Sequence, residues 1–570
     1  MRVNKLTSVR WQVPYSFYSI PFCQPHVAQY APENLGEVLQ GSVIQNAPFE
    51  LRLGVSGLRA LCKVQLDRQG RRLWAQRVRE EYRGQLLLDN LPVSTRVPLR
   101  AAVRGQVARG GGSQPPSAFR YVSGYRLGFV GGVAEHLGTD GHVYVNNHLD
   151  FVVSYHELPA PQPGVIPQAR VVGFEVSPSS RRYSHSKRWP DDFEGADSTA
   201  KDVLNLAPQQ VGLQQEPGLL ALDDGTLEVI FTYNVTWVPS SLPYSSRWDH
   251  YLYLEEGESI HWLSLTGSLA TSMLLAGVVA AILIRTVRRD LQRYNVEEVD
   301  ELLQEVGWKY CHTDVLRAPP HSMLLATVVG SGVQLACMVV VSVLLALIGL
   351  IAPTSRGRLL TAALLLYAAA GLPAGLVSAW IYRQMHGRRA YALIAQLVGM
   401  VPGFFFGFFL LLDLRLWADA SSSAVPLGTM VALVLLWLCL DAPLVMLGVA
   451  LGTRAPKLED PVYTNAIPRQ VPYQPVYGRA LPSALLGGLL PFGSASIELA
   501  LLLSCVWNQR IYFVFGFLLL MILMTALVCA EARAAQPAHA CGFLLARPPH
   551  QVPCAGRVAH RWASSCATSS

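Results

Sequence analysis

The chain has 570 residues, and only 15% are charged, well under the roughly 25% of soluble globular proteins; its mean hydropathy is +0.28. The deficit is local: residues 1–257 carry ordinary charge, whereas 259–531 hold long stretches with almost none. The formal net charge of +7 is no nucleic-acid footprint, because the arginines flank apolar stretches instead of interleaving with aromatics along a groove; no nucleic-acid partner is expected.

Residues 1–258 predict a β-rich, sandwich-like domain. VYVNNHLDFVVSYH (143–156), RVVGFEVSP (170–178) and LEVIFTYNVTWV (227–238) alternate in polarity between Gly, Pro, Ser or Asp boundaries, as half-buried strands do. RGGGSQPPS (109–117) predicts a loop, and 176–198 a polar excursion. Of ten cysteines, Cys23 and Cys62 alone lie in this half. A Cys23–Cys62 bridge and two separate buried thiols both fit that count. The opening MRVNKLTSVRWQVPYSF has no apolar core of a secretory signal.

The solvent changes at His261. HWLSLTGSLATSMLLAGVVAAILI (261–284) holds no charge before Arg285, and its length matches a hydrocarbon layer of about 30 Å. Further spans are predicted at 323–350, 359–382, 391–412, 426–450, 483–506 and 511–530, which makes 259–531 a bundle of seven. Helices apolar all round have no face for water, so a soluble core cannot hold seven in series.

Arginine bias sets the expected orientation. Arg285, Arg288, Arg289 and Arg293 follow the first span, while LEEGESI (254–260) before it is acidic. The N-terminal half is thereby placed outside or in a lumen, and 285–321 in the cytosol. Arg383, Arg388 and Arg389, then Arg454, Lys457 and Arg469, agree; Arg356, Arg358 and Arg510 run against the rule. Asn234-Val235-Thr236 is a sequon on the predicted luminal side, which makes Asn234 a glycosylation candidate. Residues 532–570 lack periodicity and are expected to form an unstructured cytosolic tail. Its Cys541, His550, Cys554, His560 and Cys566 match no closed zinc spacing.

No Walker loop, Gly-x-Ser-x-Gly elbow or His-Glu-x-x-His motif occurs, so no enzyme and no cofactor are expected. Two intramembrane carboxylates stand out. Such groups are costly in lipid and face a bundle interior or a wet cavity. For Glu498, a proton- or ion-coupled path, a grip on a client helix, and a neutral carboxyl bonded to a neighbouring helix all remain open. For Asp441 the last reading is preferred. The proline-punctuated loop 460–472 carries Asn465, Pro468, Arg469 and Pro472. It reads as an extended strap over the bundle, with recognition of a cytosolic partner as the alternative. Pro373, Pro402, Pro443, Gly371, Gly375 and Gly403 predict kinks and close helix contacts.

Several blocks together resemble the nonaspanins, the transmembrane nine superfamily. They include VPYSFYSIPFCQP (13–25), ENLGEVLQG (33–41), NNHLDFVVSYH (146–156), SRWDHYLYLEEGESIHWLSLTGS (246–268), SSSAVPLGTM (421–430), TNAIPRQVP (464–472) and LPFGSASIEL (490–499). The resemblance implies a luminal domain, nine spans and a role in sorting membrane proteins in Golgi and endosomal membranes. The implied partners are client spans, lipid and a cytosolic coat or sorting factor. Carried over by position, Glu498, the loop around Asn465, Pro468, Arg469 and Pro472, and Trp248-Asp249 match family motifs. The family more often has Ser where Asp441 stands, so Asp441 is not expected to be a shared site. Leu58 stands opposite Cys62 where the family usually has a second Cys. The family's leader and last two spans have no counterpart here, so truncation at both ends is expected.

Overall fold

A computed structural model describes residues 1–98, 119–132, 141–158, 168–185, 204–205, 219–222, 228–248, 257–294, 314, 317–352, 354–458, 467, 480–507 and 515–546. The N-terminal region is built on two packed six-stranded sheets, with two two-stranded ones beside them among the described residues. In one, Arg2–Thr7 pairs antiparallel with Tyr15–Ser16, Gln45–Asn46 and Arg83–Leu88, and the last of these also pairs with Leu91–Pro92 and Tyr125–Arg126. The other runs in the order Gly57–Gln65, Glu228–Pro239, His148–Glu157, Ala169–Ser179, Ser94–Pro98, Phe119–Ser123. Two of its pairings are parallel, His148–Glu157 with Glu228–Pro239 and Ala169–Ser179 with Ser94–Pro98.

Strand alternation builds the core between the layers. Phe151 and Val153, Phe174 and Val176, and Phe231, Tyr233 and Val235 bury every second side chain against Val3, Leu6 and Leu86 of the opposite sheet. Phe49 meets both Phe151 and Tyr233 edge to face. Such edge-to-face contacts add about 0.5–1.5 kcal/mol to area burial. Cys23 and Cys62 are disulfide-bonded, with Cα atoms 5.8 Å apart, tying the N-terminal loop to the edge strand Gly57–Gln65.

Two helices in this half escaped the periodicity reading. Helix α1 spans Leu35–Leu39 and carries an Asn34/Glu37 capping box. Helix α2 spans Arg68–Arg79, capped by the Asp67 carboxylate, which accepts from Gly70 N at 2.6 Å. Its arginines mask the i, i+4 pair Trp74 and Val78, both buried in the shared core. Trp74 Nε1 donates to Pro21 O at 3.0 Å.

Among the described residues, seven helices are long and apolar enough to cross a membrane: span 1 Leu265–Arg289, span 2 Ser322–Leu347, span 3 Arg358–Gln384, span 4 Ala390–Ala418, span 5 Leu427–Arg454, span 6 Gly487–Trp507 and span 7 Phe515–Ala532. Span 4 outlasts its expected end at 412: Asp413 is buried and accepts from Val425 N at 2.8 Å. The tail needs a correction. The last helix runs on through Ala546, and the segment after Ala530 is rich in alanine, the strongest helix former; residues 547–570 lie outside the described residues.

Small residues decide how the spans meet. Span 3 is buried at Gly371, Ala374, Gly375, Ser378 and Ala379, and span 5 at Gly448 and Gly452. These are two facing Gly-x-x-x-Gly motifs. A Cβ on Gly448 would sit 2.2 Å from Leu372 O, and one on Gly375 would sit 2.4 Å from Val445 O. Ser378 Oγ also donates to Ala326 O of span 2 at 2.9 Å. Span 3 is thus the spine of spans 2 to 5, while spans 1, 6 and 7 form a second group that meets span 2 through span 7. Gly399, Gly403 and Gly407 of span 4 have nothing within 4 Å of a Cβ. Replacing Gly448 with Val should therefore cost about 1–3 kcal/mol through overpacking, and Gly403→Val much less. Thermal unfolding in detergent micelles compares the two.

Candidate functional site

The N-terminal domain is seated on the bundle through contacts between backbone and side chains. Asn34, the cap of α1, donates to Arg356 O at 2.9 Å, and Gly36 N donates to Thr361 Oγ1 at 2.9 Å. Gly357 (φ +68°) meets this cap so closely that a Cβ on it would lie 2.2 Å from Asn34 Oδ1. At the turn after span 4, Ser421 Oγ donates to Pro14 O at 2.8 Å and Ser422 Oγ to Gly41 O at 3.1 Å. Gln12 Nε2 reaches Trp507 O at the end of span 6, at 2.9 Å. The turns between spans 2 and 3 and between spans 4 and 5, and the end of span 6, therefore share the side of the N-terminal domain. Alternate directions of spans 2 to 6 give that arrangement.

The seam also accounts for an arginine that ran against the charge rule. Arg356 Nη2 donates to the carbonyl and side-chain oxygens of Asn90, so its charge serves domain docking. Behind the seam, Lys5 Nζ donates to Gln40 O, next to α1. Burial pushes the Lys5 amine down to about 8, against the opposing pull of Glu33.

A cavity of about 260 Å³ opens between spans 3, 4 and 5, directly beneath α1. Leu39 of α1, Tyr367 of span 3, Phe406 and Phe409 of span 4, and Trp437 and Asp441 of span 5 are among the residues that line it. Asp441 closes a π-helical turn, Trp437–Asp441, that precedes Pro443, the kind of irregular turn that recurs at functional positions. Gln334 Nε2 of span 2 donates to Asp441 Oδ1 at 2.7 Å and to Tyr367 O at 3.1 Å. The expected bond from a neighbouring helix is thus present. Asp441 Oδ2 is buried and has no hydrogen-bond partner among the described residues.

Glu498 is 2% exposed, inside the group of spans 1, 6 and 7. Ser494, one turn earlier, accepts through its carbonyl from Ser268 Oγ at 3.0 Å. Ser272 Oγ donates to Glu531 Oε1 at 3.2 Å, and Glu531 Oε2 is buried without a partner among the described residues. This group therefore holds two carboxylates with serines around them. It stands apart from the Asp441 cavity.

The remaining sequence-named residues are dispersed. Trp248 packs against the core of the N-terminal domain. Asn234 is half-buried mid-strand and donates to Asp150 Oδ1 at 3.3 Å. Asp249, Asn465, Pro468, Arg469 and Pro472 lie outside the described residues. Among the described residues no group of three or more His, Cys, Asp or Glu could hold a metal ion. The seam residues Asn34, Gly36, Gly357, Thr361 and Ser421 to Ser423 were not singled out from the sequence. Three resemblance blocks (13–25, 33–41 and 421–430) nevertheless meet there.

This architecture defines a multi-pass helical membrane protein with a large β-rich extramembrane domain. The family model for endomembrane protein 70 matches residues 14–535. Transmembrane 9 superfamily member 9 of Arabidopsis thaliana is 38% identical over 538 residues, covering 93% of this chain and 79% of the relative. Human transmembrane 9 superfamily member 4 is 36% identical, with 93% and 79% covered. Putative phagocytic receptor 1a of Dictyostelium discoideum is 33% identical at the same coverage. No solved structure matches. The chain belongs to the endomembrane protein 70, or transmembrane 9, family.

Two outcomes follow for the seam. Asn34→Ala removes both the α1 cap and the bond to Arg356 O, and should loosen docking by about 0.5–2 kcal/mol. Faster amide exchange in residues 354–361 would register it. Lys5 has a folded value below its ordinary 10.5, so the unfolded chain binds the extra proton between about pH 8 and 10.5. Stability should rise with pH through that window and stay flat, for this group, below it. Unfolding of the detergent-solubilised chain against pH checks the slope, which Lys5→Met should remove.

Proposed function

We propose that the protein is a non-enzymatic trafficking factor of Golgi and endosomal membranes, one that helps localise or sort other membrane proteins. The observation that carries this reading is family membership across residues 14–535, together with a relative named as a putative phagocytic receptor. Clients would meet the bundle through its lipid-facing sides, with the N-terminal domain adding contacts above. That domain faces the lumen in this reading and the C-terminal tail faces the cytosol. The Cys23–Cys62 bridge suits an oxidising compartment. Arg285, Arg288 and Arg289 at the far end of span 1 suit the cytosol. With that orientation, Asn234 is open to glycosylation during synthesis, and the loop carrying Asn465, Pro468, Arg469 and Pro472 is available to a cytosolic coat or sorting partner.

The second reading is a proton- or ion-coupled transporter. Its support is the enclosure of Glu498, Glu531 and three serines within spans 1, 6 and 7. Glu498→Gln separates the two readings. In cells depleted of the native protein, the variant should change which membrane proteins reach the surface, read by surface labelling and mass spectrometry. In reconstituted vesicles the unmodified protein should carry no proton flux. Flux that the variant abolishes, with no client co-purifying, would reverse the ranking.

A further inference from the structure

We propose that the hairpin tip Val9–Trp11 of the N-terminal domain is an interfacial anchor, seated among the phospholipid headgroups of the bilayer that holds the spans. The tip joins the antiparallel strands Arg2–Thr7 and Tyr15–Ser16. Its residues are turned outward: Val9 is 41% and Trp11 56% exposed, and Arg10 between them is exposed as well. Single apolar residues on a protein surface are ordinary, so the case rests on where this tip sits.

Gln12 fixes the place. Its Nε2 donates both to Val9 O at 2.7 Å and to Trp507 O at 2.9 Å, so one amide joins the tip to the last residue of span 6. The closing carbonyls of a helix have no partner within it, and the tip supplies one here. Two residues on from Gln12, Pro14 O accepts from Ser421 Oγ, one turn past Trp417 at the end of span 4. On span 6, Phe492, Leu499, Leu503 and Val506 recur at helical spacing and are all exposed, which makes that side the one lipid covers. Trp507 continues the stripe. The tip therefore stands at the level where a lipid-facing helix leaves the hydrocarbon.

The residue types match that level. Tryptophan concentrates at the membrane–water interface, where its ring meets apolar chains and its N–H meets polar groups. Trp417 and Trp507 hold that position on the bundle, both exposed, and Trp11 adds a third from the extramembrane half. Arg10 can lay its stem on apolar surface and direct its guanidinium to headgroup phosphates. The tip is also held in shape before any contact. Ser8 Oγ accepts from Arg10 N at 3.2 Å and Trp11 N at 3.4 Å and donates to Glu80 O at 2.6 Å, while Gln12 N donates to Ser8 O at 3.0 Å. Little ordering entropy is left to lose on binding. Lipid is favoured over a protein partner because bilayer surrounds the end of span 6 once the helix is inserted, whereas a protein must bring a matching surface.

The test uses the full chain in phosphatidylcholine nanodiscs, with a phosphatidylcholine that carries an aryl diazirine near the headgroup end of one acyl chain as probe. Mass spectrometry of the illuminated protein locates the label. Residues 9–11 should be labelled along with span 6. Trp11→Ser should lose most of the label on Val9 and Arg10 while span 6 stays labelled. Val9→Asn leaves the carbonyl that Gln12 engages and should lower the label on Arg10 and Trp11. Trp11→Tyr, which keeps an interfacial ring, should retain it. With two positions tested, the result stays decisive if one variant fails to fold. A tip left unlabelled beside a labelled span 6, or a label unchanged in both Trp11→Ser and Val9→Asn, would overturn the assignment.

Discussion

Lipid gives apolar helices no reason to associate, since hydrocarbon surrounds them whether or not they touch. What holds the bundle is close van der Waals approach and a few interhelical hydrogen bonds. Span 3 supplies both. Its Gly371 and Gly375 let the span 5 backbone come near enough for Gly448 and Gly452 to face carbonyl oxygens directly. Its Ser378 ties it to span 2. The position of span 5, and with it the π-helical turn and Asp441, depends on this contact.

The same device recurs where water and lipid meet. Gly36, Gly41 and Gly357 bring the N-terminal domain onto the turns of the bundle at backbone distance. Side-chain hydrogen bonds from Asn34, Ser421 and Ser422 then fix the register. Because the contact is made of backbone and short side chains, it leaves little slack between the halves. Leu39, on the helix that makes this contact, consequently reaches the membrane cavity. The extramembrane and membrane parts are thus joined at the place where the bundle is hollow.

Two groups of spans have different polar interiors. In spans 2 to 5 the Asp441 carboxyl is held by Gln334, with Oδ2 buried and unpartnered among the described residues, while Asp413 accepts from Val425 N. In spans 1, 6 and 7, Glu498 and Glu531 lie among serines. Buried carboxylates in lipid are costly enough that each group needs its own local solution. The two solutions differ because the donors differ: the Gln334 amide in the first, the Ser272 hydroxyl on Glu531 in the second.

The sequence by itself determined that one half is a run of long apolar helices and that the other is β-rich. Hydropathy and strand alternation are local sums over adjacent residues, so they survive without a fold. It also supported the family, through blocks in a fixed order. It did not reveal helix α2, whose arginines drown its short apolar face, or the end of span 4, which runs on past the buried Asp413. It left the partner of Cys62 open, and it ranked Asp441 below Glu498. Only the tertiary structure decided those points, together with the seam. Each depends on groups far apart in the chain, such as Asn34 with Arg356, Pro14 with Ser421 and Gln334 with Asp441, and no local pattern records a contact that folding alone creates.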